Sequence, residues 1–370
     1  MVLLIGNYAP DQQQSMQRFA EMMLRELEAL GVAAELRCPQ PFFQRLVRAT
    51  SPLAKWLGYV DKLLVFSGEL QSVKADVVHI CDHSNAVYAA NASAPVLVTC
   101  HDLLAVRGGL GEETDCPASW SGRLLQRWIL RGLKRARIVA CVSKATANDA
   151  MRLVGETPAR KITVVENGMN YPFRILPAEE AQQRLQKISQ LDLGQPFVLL
   201  VGSALKRKNR AGALRAFALT KEKWNAQIVF AGEKLDHESR MLADALSLPS
   251  RIVEIENPDS VVLEALYNRA HALIFPSRFE GFGWPLIEAQ ACGCPVVCSD
   301  RAPMPEVAGD GALIRSLDDE AGFADDLLRL RESALRAEMR ERGWRNAARF
   351  SAREMALRYL ALYRELGLAA

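Results

Sequence analysis

The chain alternates short apolar runs with longer segments in which apolar residues recur every three or four positions. Val2 to Ile5, Val77 to Ile80, Val96 to Cys100, Ile138 to Val142 and Ile162 to Val165 are compact aliphatic runs, the composition of buried strands. Ser15 to Leu30 instead sets Met16, Phe19, Met23, Leu27 and Leu30 at helical spacing and stops at Gly31, a residue suited to ending a helix. Around Asn167 to Pro177 an Asn-Gly pair and two prolines interrupt the pattern. A second series follows, with apolar runs at Phe197 to Val201, Gln227 to Ala231, Ile252 to Ile255, Leu273 to Phe275 and Pro295 to Cys298. From Ser333 onward the tail is helical in pattern, with Met339, Trp344, Phe350, Leu357, Leu360 and Tyr363 as its apolar positions. The alternation predicts an α/β protein with two parallel, doubly wound sheets and helices on both faces. Two such sheets joined by a short hinge leave a cleft. Open sheets bind ligands at the carboxyl ends of their strands, so functional residues are sought directly after strands.

Composition narrows the class. A chain of 370 residues with 49% apolar and 24% charged residues has material for two soluble cores. A net charge of +3, with no basic block interleaved with aromatics, does not point to nucleic acid. No apolar stretch reaches the about 18 residues that span a bilayer. The opening MVLLIGNYAP lacks a basic leader and a cleavage site, so it reads as a first strand. The expected location is the cytoplasm, with a peripheral contact at the inner face of the membrane as a candidate. Several of the eight cysteines sit in apolar runs and read as buried free thiols of a reducing compartment. The spacing of Cys292, Cys294 and Cys298 is not that of a zinc knuckle, and no metal site is expected.

The candidate chemistry concentrates in PSRFEGFGWPLIEAQACGCPVVC, Pro276 to Cys298. Glu280 follows a strand and can accept hydrogen bonds from sugar hydroxyls. Gly281 and Gly283 let the backbone approach a ligand with bare N–H groups. Pro285 suits a first helical turn, whose N-terminus favours phosphate, and Glu288 lies about one turn further. Either glutamate alone reads equally well as a cap or a solvated carboxylate. The pair with both glycines and the proline points to a ligand. In VGSALKRKN, Val201 to Asn209, a strand ends at Gly202 and Lys206, Arg207 and Lys208 follow, cations suited to a diphosphate. In VLVTCHDL, His101 sits at the end of a strand beside Asp102. His79 and His83, in VVHICDH, are weaker candidates, and His79 reads as structural.

Trp120 to Ile138 carries six basic residues and no acid. Arg123, Arg127 and Arg131 recur at helical spacing, opposite Leu124, Leu125, Trp128, Ile129 and Leu133 in this reading. A helix packed on the sheet with solvated arginines is the plainer interpretation, and a membrane-surface helix the sharper one. Phe42 to Leu70, rich in apolar residues with Lys55 and Lys62 interspersed, is a candidate rim for a lipid-linked or extended acceptor.

Together these motifs resemble the retaining glycosyltransferases of family four, above all from about Phe197 to Leu313. The carriers are EGFGWPLIE, ACGCPVV, PEVAGDGAL, VGSALKRKN, CHDL and VENGMN. VGSALKRKN is closest to mannosyltransferase-like members. The resemblance implies the GT-B fold: an N-terminal acceptor-binding domain over 1–172, a C-terminal nucleotide-sugar domain over 173–350, and a last helix, 351–370, packing back toward the first domain. It implies Glu280 on the donor sugar, Glu288 on the ribose, and Gly281, Phe282 and Gly283 supporting sugar and phosphates through their backbone. Arg207 and Lys208 would bind the diphosphate, and His101 would lie by the reacting carbon. The implied partners are a GDP- or UDP-linked sugar and a glycan or lipid-linked acceptor, with no metal or other cofactor. Two positions depart from the family. The glycine pair after the first strand is replaced by a stretch containing Gln14 and Ser15, which can still bond a phosphate or an acceptor. Ser203, a donor-binding candidate, stands where some members carry arginine, so donor phosphate would lean more on Arg207 and Lys208. A non-catalytic nucleotide-sugar binder, a sugar-nucleotide epimerase and a nicotinamide-dependent oxidoreductase are the alternatives. The last lacks the N-terminal glycine fingerprint.

Overall fold

The computed structural model describes residues 1–48 and 51–369. The chain divides into two compact units, Met1–Asn170 with Ser351–Ala370, and Tyr171–Phe350.

The first unit is built on six parallel strands: β1 (Val2–Ile5), β2 (Ala34–Arg37), β3 (Val77–Ile80), β4 (Val96–Cys100), β5 (Ile138–Cys141) and β6 (Lys161–Val164), in the order β2-β1-β3-β4-β5-β6. The order reverses between β1 and β3, which makes that gap a topological switch point. Side chains alternate between the two faces. Leu3, Ile5, Val78, Ile80, Val98, Cys100, Val139 and Cys141 meet Phe66, Leu70, Tyr88, Ile129 and Leu133 in one core. Each of these larger side chains contributes about 1.5–3 kcal/mol on burial.

The opposite face holds a polar chain. His79 Nδ1 is 2.6 Å from the Tyr363 hydroxyl, and its Nε2 is 2.7 Å from Thr99 Oγ1, which lies 2.8 Å from the Tyr359 hydroxyl. The His79 ring stacks on Tyr359 with centroids 4.9 Å apart. These contacts bind the Ala352–Glu365 helix onto the first unit's sheet, where Phe19 of the Gln14–Ala29 helix meets both His79 and Tyr359 edge-on. His79 thus has the structural place that its strand position predicts.

The second unit has six further parallel strands: β7 (Phe197–Gly202), β8 (Gln227–Gly232), β9 (Ile252–Glu256), β10 (Ala272–Phe275), β11 (Val296–Ser299) and β12 (Ala312–Arg315), ordered β12-β11-β10-β7-β8-β9. Its switch point lies between β7 and β10. The loops after those two strands are VGSALKRKN and PSRFEGFG.

The sequence reading missed β2 and β12. Both are edge strands, AELR and ALIR, with no fully buried residue in either, so their polar and apolar positions mix as a loop's would. It also misplaced two residues of the Trp120–Leu133 helix. Ile129 and Leu133 are buried as expected, but Leu124 and Trp128 remain exposed among the arginines. Among the described residues no helix is long and apolar enough to cross a membrane.

Candidate functional site

In the second unit the site begins where two strands end side by side. Gly202 closes β7 and Gly232 closes β8, with φ of +140° and +137°. A Cβ on Gly232 would lie 2.4 Å from the Gly202 carbonyl oxygen, so only glycine fits there. A Cβ on Gly202 would sit 3.1 Å from Lys208 Cε. The lysine stem therefore lies across bare backbone. Its Nζ reaches Glu280 Oε1 at 2.6 Å and rides 5.1 Å from the Phe275 ring centroid, a cation–π contact. Arg207 Nη1 donates to Glu280 Oε2 at 2.6 Å and to the Phe279 carbonyl at 3.1 Å. The Arg278 N–H donates to the Arg207 carbonyl at 2.7 Å, locking the two loops together. The turn then ends at Asn209, φ +51°, whose side chain caps the next helix through Gly212 N. Asparagine tolerates that left-handed conformation.

The electrostatics follow from burial and proximity. Burial alone would raise the Glu280 carboxyl, but the charges of Lys208 and Arg207 outweigh it and hold its pKa below the ordinary value. Burial lowers Lys208 by more than Glu280 restores, so its pKa lies below that of a free lysine. Two cations share one carboxylate, which leaves the cluster one positive charge.

Beside it starts the Trp284–Ala291 helix. Gly283, φ +102°, caps it with no side-chain bond, and Pro285 in the first turn has no N–H to satisfy. Phe282 is buried edge-on against Trp284 and Phe350, so its backbone is what it can offer a ligand. Glu288 is also buried; its Oε2 accepts from the Tyr267 hydroxyl at 2.8 Å. Ser203 lies half-buried in the loop after Gly202.

The first unit supplies its own cluster at the carboxyl edge of its sheet. His101 follows β4, packs edge-on against Phe19 at 4.9 Å, and has Nε2 2.9 Å from the Cys81 carbonyl. That carbonyl fixes the proton on Nε2 in a neutral ring and leaves Nδ1 as the acceptor. Burial lowers its pKa and keeps it neutral at pH 7. At the switch point, Asn7 Nδ2 donates to Asp82 Oδ2 at 2.6 Å and to the Gln13 side chain. Asp82 Oδ1 also accepts from Ser84 N at 3.1 Å, and His83 Nδ1 stands 3.1 Å from that same oxygen as an ion pair off the hydrogen-bond line. Burial would raise Asp82, yet His83 holds it well below the ordinary carboxylate range. Burial would lower His83, yet Asp82 raises it. Gln14 and Ser15 are exposed at the start of their helix, and Gln13 turns to Asn7 instead of capping it.

Of the residues read from sequence, Glu280, Arg207 and Lys208 form one contact cluster in the second unit, with Gly281 to Gly283 next in chain. Glu288 accepts from Tyr267, and its charge also acts on Lys208. His101, Gln14 and Ser15 belong to the first unit. The sequence reading missed Tyr267, whose helical position reads as plain core packing. It also missed Asn7 and Asp82, although both stand directly after strands, the signal that picked out His101.

Two family models take up most of the chain: Glycosyltransferase Family 4 over residues 16–171 and Glycosyl transferases group 1 over residues 181–349. The O-antigen chain mannosyltransferase B of Escherichia coli is 28% identical over 236 residues, which cover 62% of this chain and 61% of that one. The O-antigen chain mannosyltransferase RfbU of Salmonella typhimurium is 29% identical over 219 residues, 56% of this chain and 55% of its own. The chain thus spans less than two thirds of the length of these curated relatives. The solved sucrose-phosphate synthase of Thermosynechococcus elongatus superposes with a TM-score of 0.76 at 19% identity, over 100% of this chain and 99% of its own, a likeness of fold. With both halves matched in order, and two six-stranded parallel sheets to carry them, the chain belongs to the family-four glycosyltransferases of the GT-B fold, close to their mannosyltransferase-like members.

Proposed function

We propose that this protein transfers a hexosyl unit, mannosyl in the first instance, from a nucleoside-diphosphate sugar to a glycan or lipid-linked acceptor. The reaction retains the anomeric configuration, uses no metal, and serves cell-surface polysaccharide synthesis on the cytoplasmic side of the membrane. The observation that carries this reading is the Glu280–Arg207–Lys208 cluster, with both salt bridges at 2.6 Å, beside the uncapped start of the Trp284–Ala291 helix. A diphosphate brings about two negative charges. A cluster with an excess of positive charge and largely desolvated cations, beside a helix N-terminus, stabilises it most as the sugar bond breaks and charge develops on the leaving oxygen. Glu280, kept ionised, accepts hydrogen bonds from donor hydroxyls, and Glu288 from the ribose. Neutral His101 bonds the donor sugar by the reacting carbon. The departing phosphate takes the acceptor's proton on the face it leaves. The likeness to O-antigen mannosyltransferases puts GDP-mannose ahead of UDP-sugars.

A thermal-shift series with GDP, UDP and ADP tests this first, because a ligand at 100 times its dissociation constant adds about 2.7 kcal/mol of stability. The matching sugars are then assayed for donor hydrolysis and transfer, with and without chelator, and the anomer of the product is read by NMR. Stabilisation by GDP and chelator-resistant release of an α-product are expected. No shift with any nucleoside diphosphate, together with no donor cleavage, overturns the reading. A shift without turnover leaves a non-catalytic binder.

A further inference from the structure

We propose that Arg210 is a positioning residue for the donor diphosphate: buried beneath the loops that follow β7 and β8, it gathers their carbonyl oxygens and so turns the Ser203 and Lys234 amide N–H groups outward to the phosphates. The assignment rests on the transferase reading above and adds a residue that stands one place beyond the VGSALKRKN stretch.

Arg210 opens the Arg210–Ala218 helix and is only 4% exposed. Its Nη2 donates at 2.8 Å to the Gly202 carbonyl and at 2.8 Å to the Glu233 carbonyl, and its Nη1 donates at 2.8 Å to the Lys234 carbonyl. Gly202 closes β7, and Glu233 and Lys234 follow the end of β8, so one planar guanidinium ties the two loops together. It also lies 5.6 Å from the centroid of the Phe230 ring. Its Nε has no partner, and no carboxylate forms an ion pair with it among the described residues. The nearby acids are engaged elsewhere. Glu233 accepts from Ala204 N at 2.8 Å, Glu254 accepts from Leu235 N at 3.0 Å, and Asp236 accepts from Ser239 N at 2.7 Å. Burial outweighs their through-space pull and lowers the Arg210 pKa. A cation buried without a countercharge is costly, and an anion bound over the loops supplies the missing charge.

The carbonyls also set the amides. A trans peptide is planar, with its C=O and N–H pointing in opposite directions. With the Gly202 and Glu233 carbonyls drawn to the guanidinium, the N–H groups of Ser203 and Lys234 face away from it. Among the described residues neither N–H donates to a protein acceptor. Gly232 makes the arrangement possible, because a Cβ there would lie 2.4 Å from the Gly202 oxygen that Arg210 holds. On its other side Gly202 carries the Lys208 stem, whose Cε would be 3.1 Å from a Cβ at that position. The Gly202–Ser203 peptide is thus framed by Arg210 and by the lysine of the cationic cluster. Backbone N–H groups aimed in this way suit phosphate oxygens.

The test reads the amides directly. Full-length protein with isotope-labelled serine and lysine amides is titrated with GDP, and with UDP in parallel, and followed by NMR. Ser203→Ala and Lys234→Arg identify the two resonances. Both are expected to move downfield at saturation in the wild type. Arg210→Lys keeps the charge and loses the fork. It is expected to weaken nucleoside-diphosphate binding by roughly tenfold to a hundredfold, the loss of about one hydrogen bond to a charged group. Gly232→Ala, which displaces the same carbonyl and alters no charge, is expected to do likewise. In both variants the donor KM rises by that factor and kcat changes far less. Calorimetry below each melting temperature reads the affinity of folded protein, which a clip that served stability alone would leave unchanged. Wild-type affinity in folded Arg210→Lys, or amides unmoved by a saturating ligand, overturns the assignment and leaves the transferase reading standing. A wild type that binds no nucleoside diphosphate overturns that reading and the assignment with it.

Discussion

The two units place polar clusters at equivalent points, the switch point of each parallel sheet, yet they solve opposite electrostatic problems. In the second, Glu280 is shared by Arg207 and Lys208, each 2.6 Å away. One carboxylate among two cations leaves a positive excess. In the first, Asp82 is matched by His83 at 3.1 Å and by Asn7 at 2.6 Å, and the cluster is close to neutral. A repeated fold therefore does not repeat its chemistry. An anionic diphosphate suits the second unit's cationic cluster, and uncharged sugar hydroxyls suit the first unit's near-neutral one. The contrast predicts that damage to the second unit's cations is felt as lost turnover, and that the first unit's cluster answers chiefly to pH.

The largest expected effect comes from Lys208→Ala. Its loss strips one developing-charge donor and leaves Glu280 with a single cationic partner, so turnover is expected to fall by roughly two to three orders of magnitude. Steady-state kinetics on GDP-mannose measure it, with a thermal melt to show that the variant is folded. Near-normal turnover would remove the cationic half of the comparison. The pH dependence sharpens the assignment. Because burial lowers the Lys208 pKa, activity is expected to decline with rising pH before ordinary lysines titrate. Lys208→Arg, charged throughout, is expected to move that limb upward.

A smaller effect is expected at Tyr267, which touches Glu288 and nothing that reacts. Tyr267→Phe removes a donor to a buried carboxylate, a loss of about 1.5–3 kcal/mol for a charged hydrogen bond. As a positioning residue for the ribose, it is expected to raise the donor KM by roughly tenfold to a hundredfold while kcat changes far less. A fall in kcat with KM unchanged would mean that Glu288 acts in the bond-breaking step instead.

Much of this organisation was legible in the sequence, and the reason is chemical. Central strands of a parallel sheet are apolar on both faces, so VLVTC and ALIF declare themselves. A glycine pair with a proline two residues later leaves few alternatives to a loop feeding a helix. What the chain concealed was set by neighbours distant in sequence. Tyr267 meets the candidate site only because its helix packs against Glu288, 21 residues on. Asn7 and Asp82 are 75 residues apart and neither is unusual alone. Leu124 and Trp128 fit an apolar helix face on paper. The packing of Gly132 against the Ala86 carbonyl, where a Cβ would come within 2.0 Å, and that of Gly109 against Gln126 fix the rotation that leaves them outside.

The smallest effect tests the first unit's neutrality through two histidines four residues apart. His79, fully buried, has its pKa lowered to about 3, first by burial and then by His101. The folded state therefore binds fewer protons than the unfolded chain, whose histidine titrates near about 6.5. Its contribution to stability is complete above about pH 6.5 and is lost as pH falls toward 3, by about 1 kcal/mol between pH 6.5 and 5.5. His83 has the opposite sign. Asp82 raises its pKa against the pull of burial, so its contribution is present below about 6.5 and is lost as pH rises through the folded value. Denaturant titrations across this range are expected to show a flatter acid limb in His79→Gln and a flatter alkaline limb in His83→Gln. If His83→Gln leaves the alkaline limb unchanged, His83 is uncharged in the folded protein. Asp82 would then stand as a net negative charge at that edge, and the neutral half of the comparison would fail.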